Sequence, residues 1–245
     1  MRTSRSSVLS VVDGIAWLSL PQPHIDQASA QALCDAVEQI GFDESVRIAV
    51  VQGGGPAFCR GVKYGGEWEA AHDWVGAVGA LTVPVVAAVG GEASAEGAEL
   101  ALACDLRIAD PRASFTFPQV VAGRLPRCGA TQRLPRLIGR SRALDLLLSG
   151  RRVGPREAER IGLVSQIAPR GRLAATVREL VGALSAKAPI ALRLAKEAVI
   201  KGSDLTLGQG IRLEQDLYVL LQTTADRAEG VAAFLAKRAP KFRGV

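Results

Sequence analysis

Seven consecutive residues, Val83-Pro84-Val85-Val86-Ala87-Ala88-Val89, carry no polar side chain, and Gly90-Gly91 stops the run. A strand with one wet face alternates apolar and polar residues; a strand that is apolar throughout has to be covered on both faces, as in parallel sheets flanked by helices. The run is far too short to cross a membrane. Pro84 stands near its start, where a missing backbone donor is tolerated. Residues 47–52 (Arg-Ile-Ala-Val-Val-Gln) form a second buried strand and 106–109 a third. Helical spacing covers residues 29–40, through Ala30, Leu33, Val37 and Ile40, and helices are also expected over 68–80 and 96–103. At the front of the chain, β-type runs at 7–12 and 15–20 flank Asp13-Gly14, a hairpin signal. Strands alternating with helices predict an α/β architecture with mainly parallel pairing. From about Leu173 the pattern turns helical throughout, with stripes over 177–184, 190–200, 211–221 and 225–236. The chain therefore divides into an α/β core, residues 1–185, and a C-terminal helical region, residues 186–245.

At 245 residues, with 48% hydrophobic and 22% charged side chains, the chain is long enough to bury a sizeable core and is neither disordered nor membrane-like in composition. Its net charge of +6 suits a polyanionic ligand, although an arginine-rich composition without functional meaning gives the same number. Aromatic residues make up only 4% and no compact Lys/Arg run occurs, which argues against a nucleic-acid surface and leaves a phosphorylated cofactor as the candidate anion. The first residues, Met1-Arg2-Thr3-Ser4-Arg5, lead into no long apolar stretch, so neither a signal peptide nor a membrane partner is expected. Cys34, Cys59, Cys104 and Cys128 are scattered without metal spacing, and a reducing, cytoplasmic location with free thiols follows.

The familiar catalytic motifs are missing. No Gly-x-Gly-x-x-Gly follows a strand, no phosphate loop ends in Gly-Lys-Ser/Thr, and no Gly-x-Ser-x-Gly elbow occurs. Gly53-Gly54-Gly55 reads first as a turn. His24 and His72 stand in no metal motif, so no metal is expected. One segment stands out. Gly90-Gly91-Glu92-Ala93-Ser94-Ala95-Glu96-Gly97-Ala98-Glu99-Leu100-Ala101 follows a buried strand directly, and small residues at a strand-to-helix junction let backbone N–H groups face a ligand. Glu99 then lies in the first turns of that helix within apolar sequence. There it is either a partner for the helix dipole or a catalytic group.

Gly91 to Asp105 resembles the crotonase signature Gly-Tyr-Ala-x-Gly-Gly-Gly-x-Glu-Leu-Ala-x-x-Cys-Asp. Phe115-Thr-Phe-Pro-Gln119, followed by Gly123-Arg-Leu-Pro-Arg-Cys-Gly-Ala-Thr-Gln-Arg-Leu134, is similar to that family's Phe-Gly-x-Pro-Glu…Gly-x-x-Pro-x-x-Gly-Gly-Thr-Gln-Arg-Leu. Ala57-Phe58-Cys59-Arg60-Gly61 resembles its Ala-Phe-Cys-Ala-Gly loop, and the likeness continues through residues 147–150, 158–164 and 232–238. The chain is thus identified as a member of the crotonase (enoyl-CoA hydratase/isomerase) superfamily. The resemblance implies a spiral of repeated ββα units with a C-terminal helical region that builds a homotrimer or a hexamer. It implies no permanently bound cofactor, a CoA thioester as substrate, and an enolate-type intermediate held by two backbone N–H groups. Carried over by position, those donors are Arg60 and Glu96. Both depart from the small residues usual there, and the two charged side chains could pair with each other. The CoA would be held by the loop bearing Phe58, Cys59, Val62 and Tyr64 and by Phe234 and Lys237 of the last helix.

The resemblance implies two catalytic glutamates. Glu99 matches the first; the second position holds Gln119, whose amide can orient water but cannot carry a proton at neutral pH. Glu99 is therefore expected to be the only acid/base group of the pocket, kept ionised by the helix N-terminus unless desolvation outweighs the dipole. Arg124 and Arg127 replace residues usually uncharged in the family, whereas Arg133 fits it. They read either as a basic surface or as partners for a carboxylate on the substrate. Hydration or dehydration of an acyl-CoA by one glutamate is the leading expectation. A decarboxylase or thioester hydrolase of the same fold, or a catalytically weak acyl-CoA-binding accessory protein, are the alternatives.

Overall fold

The computed structural model describes residues 8–63 and 73–245. A hairpin opens it: β1 (Leu9–Val12) pairs antiparallel with β2 (Ile15–Leu20). The turn needs two residues at positive φ, and Asp13 and Gly14 supply them at 52° and 74°. Helix α1 (Gln27–Phe42) follows, capped by Asp26 through the Ser29 N–H. Then come β3 (Ile48–Gly53), α2 (Trp74–Gly79), β4 (Val85–Val89), β5 (Glu92–Ser94), α3 (Glu96–Ala103), β6 (Leu106–Ala109) and β7 (Ser114–Thr116). Helices α4 (Ala130–Ile138), α5 (Arg140–Ser149) and α6 (Pro155–Arg160) lead to β8 (Gln166–Ile167). The chain closes with α7 (Leu173–Ser185), α8 (Pro189–Gly202), α9 (Leu207–Gln222) and α10 (Ala225–Leu235). Of the helix expected over 68–80, residues 68–72 lie outside the described residues.

The main sheet has the order β1-β2-β3-β4-β6-β8, parallel from β2 onward. Its two faces explain the uninterrupted apolar strands. Ile48, Val50, Val86, Ala88 and Ile108 point one way, against Val177 and Val181 of α7. Ala49, Val51, Val85, Ala87 and Val89 point the other way, into the larger core with Leu33, Trp74, Val78 and Leu100. The segments that follow the main strands pair among themselves into a second, shorter layer. Cys59 bridges Ala93, β5 pairs parallel with β7, and Phe115 bridges Val153. All four bridging residues are buried. Each pass of the chain thus contributes one long strand, one short one and a helix, which is the mixed α/β fold the resemblance implied. The short strands of this second layer carry too few residues to show a period in sequence.

The last three helices are held differently. No residue of α9 is buried, and of α8 only Pro189 is. Cations tie them to the core. Lys196 Nζ reaches Asp105 Oδ2 at 2.7 Å and the Val83 carbonyl at 2.9 Å, Arg193 donates to the Val46 carbonyl, and Arg47 donates to the carbonyls of Ser185 and Phe242. Val199, Leu207, Tyr218, Val219, Phe234 and Leu235 stay exposed. Among the described residues no helix is long and apolar enough to cross a membrane.

Candidate active site

The site grows from the junction between β5 and α3. Ala95 adopts φ 50°, ψ −126°, a costly conformation for a residue with a Cβ, and it turns the chain sharply into the helix. Gly97 lies so close to the preceding loop that a Cβ there would stand 2.1 Å from the Cys59 carbonyl oxygen, so α3 packs its first turn directly on residues 59–62. On that turn Glu96 and Glu99, three residues apart, share a face. Both are buried.

Glu99 Oε1 accepts the backbone N–H groups of Cys128 and Ala130 at 3.0 and 2.9 Å. These open α4, whose own N-cap, Gly129 at φ 103°, offers no side chain. The carboxylate thus caps one helix from the first turn of another. Its other oxygen, Oε2, accepts the Gln119 Nε2–H at 3.3 Å. Burial pushes the Glu99 pKa upward; the N–H groups of Ala130 and Cys128 pull it back in part, and the Glu96 charge adds to the rise. Desolvation therefore outweighs the dipole that was expected to keep Glu99 ionised. Gln119 is itself buried, and its Oε1 accepts no hydrogen bond among the described residues. A buried acceptor left without a donor costs free energy, so this oxygen is a ready place for the O–H of water or substrate.

Glu96 is the residue that position-by-position reading weighed least as a side chain. Its Oε2 accepts the Val62 N–H at 3.2 Å, and its Oε1 stands 3.8 Å from Arg127 Nε. The pocket therefore holds a second buried carboxylate beside Glu99, the one acid/base group expected of it. The charged pairing also differs from expectation: Arg60 Nε meets Glu92 at 2.9 Å, not Glu96. The Arg60 N–H, carried over as an oxyanion donor, is spent on the Pro23 carbonyl at 2.6 Å. The amide two residues on, Val62, is the one that faces the first turn of α3. Its signal in the sequence is Gly61, whose φ of 85° turns the loop.

Among the residues assigned to CoA, Phe58 and Cys59 have core side chains, and the Cys59 backbone pairs with β5. Those two side chains present no surface to a ligand. Val62 is buried as well, its N–H going to Glu96, and Tyr64 lies outside the described residues. Phe234 projects into solvent on the rim of an apolar groove of about 340 Å³, with Leu221, Val231 and Phe242, apart from the Glu99 pocket. Lys237 is exposed just past α10. Arg124 is exposed, its N–H donating to the Gln119 carbonyl, and Arg127, also exposed, stands with its Nε 3.8 Å from Glu96 Oε1. Arg133 donates to the Cys128 carbonyl and so braces the loop that caps on Glu99. Among the described residues no group of three or more His, Cys, Asp or Glu side chains is placed to hold a metal ion. The four cysteines are free.

A family model described as enoyl-CoA hydratase/isomerase matches residues 12–245. The chain belongs to the enoyl-CoA hydratase/isomerase family. Relatives of this hydratase/isomerase include the 2,3-dehydroadipyl-CoA hydratase of Escherichia coli, 33% identical over 90% of each chain. An enoyl-CoA isomerase/hydratase of Mycosarcoma maydis is 36% identical over 87% of this chain and 83% of its own. The crystal structure of an enoyl-CoA hydratase from Bacillus anthracis superposes with a TM-score of 0.92 at 33% identity, covering 97% of this chain and all (100%) of that one. The protein is accordingly an enzyme of the hydratase-like lyase or isomerase class. Within that frame the Glu99–Gln119 pair is a departure inside the site, not a sign of a different fold.

Proposed function

We propose that the protein adds water across the double bond of an enoyl-CoA thioester, or removes it, with Glu99 as the one proton carrier. The observation that carries this reading is the buried Glu99 carboxylate beside a Gln119 oxygen that accepts nothing among the described residues. A water lodged there would give one O–H to Gln119 Oε1 and the other to Glu99. As its oxygen bonds to the β-carbon, Glu99 takes the proton and the C=C electron pair moves onto the thioester oxygen. The protonated Glu99 then returns that proton to the α-carbon as the enolate collapses: the thioester C=O is re-formed and the former C=C is left single, with O–H on the β-carbon and H on the α-carbon. The raised pKa of Glu99 suits a group that must both accept and release a proton. No permanently held cofactor is needed for these steps; CoA enters as part of the substrate.

Two finer points belong to the same proposal. The exposed apolar side chains of α8–α10, and a Phe234 groove lined by the last helices and not by Glu99, support a trimer, or a pair of trimers, in which a neighbour's last helix completes the CoA site. The absence of paired cysteines supports work in a reducing cytoplasm. The test is incubation with a panel of acyl-CoAs, including dicarboxylic ones, since the Escherichia coli relative is named for one. Loss of the conjugated thioester absorbance with a mass gain of one water is the expected result. Loss of carbon dioxide, or release of free CoA, would replace this reading by a decarboxylase or a hydrolase. Light scattering should return a trimer or hexamer, and a stable monomer at micromolar concentration would remove the shared site.

A further inference from the structure

Along residues 59–63 the backbone donors are almost all committed. The N–H of Cys59 goes to the Glu92 carbonyl, that of Arg60 to Pro23, and that of Lys63 to Ile25. Gly61 donates to the Cys59 sulfur at 3.4 Å, a weak acceptor. Val62 alone among them donates to a side-chain carboxylate, Glu96 Oε2, at 3.2 Å. A Cβ on Gly61 would clash with that same oxygen, so the carboxylate depends on glycine at 61 for its place on the Val62 N–H. Glu96 begins α3, so its negative charge is folded back over the helix N-terminus, where anions are stabilised.

We infer that Glu96 occupies, with its own carboxylate, the place where the thioester oxygen must sit, and acts as a displaceable plug on the Val62 N–H. The inference rests on the proposed function, because it is enolate chemistry that needs a backbone donor at this spot. A thioester oxygen gathering charge and a carboxylate oxygen ask for the same donor. Both cannot hold it at 3.2 Å. For a substrate to be polarised, the Glu96 side chain has to rotate away, and the Arg127 guanidinium, already 3.8 Å from its other oxygen, is placed to receive it. The Glu96 charge would otherwise face the developing enolate and oppose it. Glu96 would thus set the threshold for activity: only acyl-CoAs whose remaining contacts offset the displacement would be turned over.

The experiment compares the wild-type protein with Glu96→Gly, Glu96→Ala and Glu96→Gln, using CoA, acetyl-CoA and crotonyl-CoA as the probes. CoA has no carbonyl to place on Val62; the acyl-CoAs do. The expected result is that wild type binds acetyl-CoA no more tightly than CoA. Glu96→Gly and Glu96→Ala should bind CoA unchanged but gain affinity for acetyl-CoA, and raise crotonyl-CoA turnover by about a hundred-fold, the usual worth of one such donor. Glu96→Gln keeps an oxygen for the Val62 N–H but loses the charge that opposes the enolate, so it should gain less than Glu96→Gly or Glu96→Ala. Equal gains for CoA and acetyl-CoA, or no gain with folding intact, would overturn the plug. Loss of turnover in Glu96→Gly and Glu96→Ala with acyl-CoA binding retained would also overturn it and make Glu96 a proton carrier in its own right. If no protein of the set binds any CoA species, the proposed function itself is refuted, and the plug with it; binding without selective gain refutes the plug alone.

Discussion

Gln119 donates one amide hydrogen to Glu99 Oε2 at 3.3 Å while its own oxygen accepts nothing among the described residues. The pair is asymmetric in a chemically useful way: one member can take up a proton, the other can only steer one.

Replacing Gln119 by Glu puts a second carboxyl group within 3.3 Å of Glu99. Two such groups cannot both ionise cheaply and will share a proton near neutral pH. Gln119→Glu should raise crotonyl-CoA hydration, by up to about a hundred-fold for one added acid/base group, read from the decay of the conjugated thioester absorbance. If instead the wild-type protein already hydrates at full family rates, a second carrier is present and Gln119 is no handicap.

Glu99 should mark both activity and stability with pH. Its raised pKa places the acid limb of kcat/KM above the usual glutamate range, because the ionised form must accept the proton. A carboxyl group whose folded pKa exceeds its unfolded one favours the fold while protonated, and that contribution is lost as pH rises through the folded value. Glu99→Gln removes this dependence. Chemical denaturation from about pH 4 to about pH 8 should therefore show the variant gaining on wild type as pH rises. A constant gap would mean that Glu99 titrates alike in both states.

Glu99→Ala tests the capping role separately from the chemistry. It strips the acceptor from the Cys128 and Ala130 N–H groups, so it should cost about 1–3 kcal/mol of stability. Glu99→Gln retains an oxygen for them and should cost less, while both variants lose turnover. Equal stability of the two would show that water replaces the cap.

Lys237→Ala should weaken CoA binding more at low salt than at high salt, since screening already weakens a phosphate contact at high salt. The measurement is calorimetric titration of CoA at two ionic strengths. Unchanged affinity at both would take Lys237 out of the site.

Much of this architecture was legible in the sequence, and the reasons are local. The run over 83–89 announced a strand covered on both faces, and Val86 and Ala88 do face α7 while Val85, Ala87 and Val89 face the larger core. Asp13-Gly14 announced its turn. Glu99 could be picked out because a carboxylate in apolar sequence needs a reason. What sequence hid was set by contacts between distant segments. Nothing local says that the Arg60 N–H turns to Pro23, that Arg60 pairs with Glu92, or that Glu96 folds back onto Val62. Phe58 and Cys59 look like a ligand loop in one dimension and are core in three.

Glu99 fastens the start of α4 with one oxygen of the same carboxylate that would move a proton. A descendant that lost its substrate would still be held to a carboxylate at this position by the need to fold. A glutamate kept at this position in a relative would therefore speak for architecture as well as for chemistry, and the residues at 96 and 119 would tell the two apart.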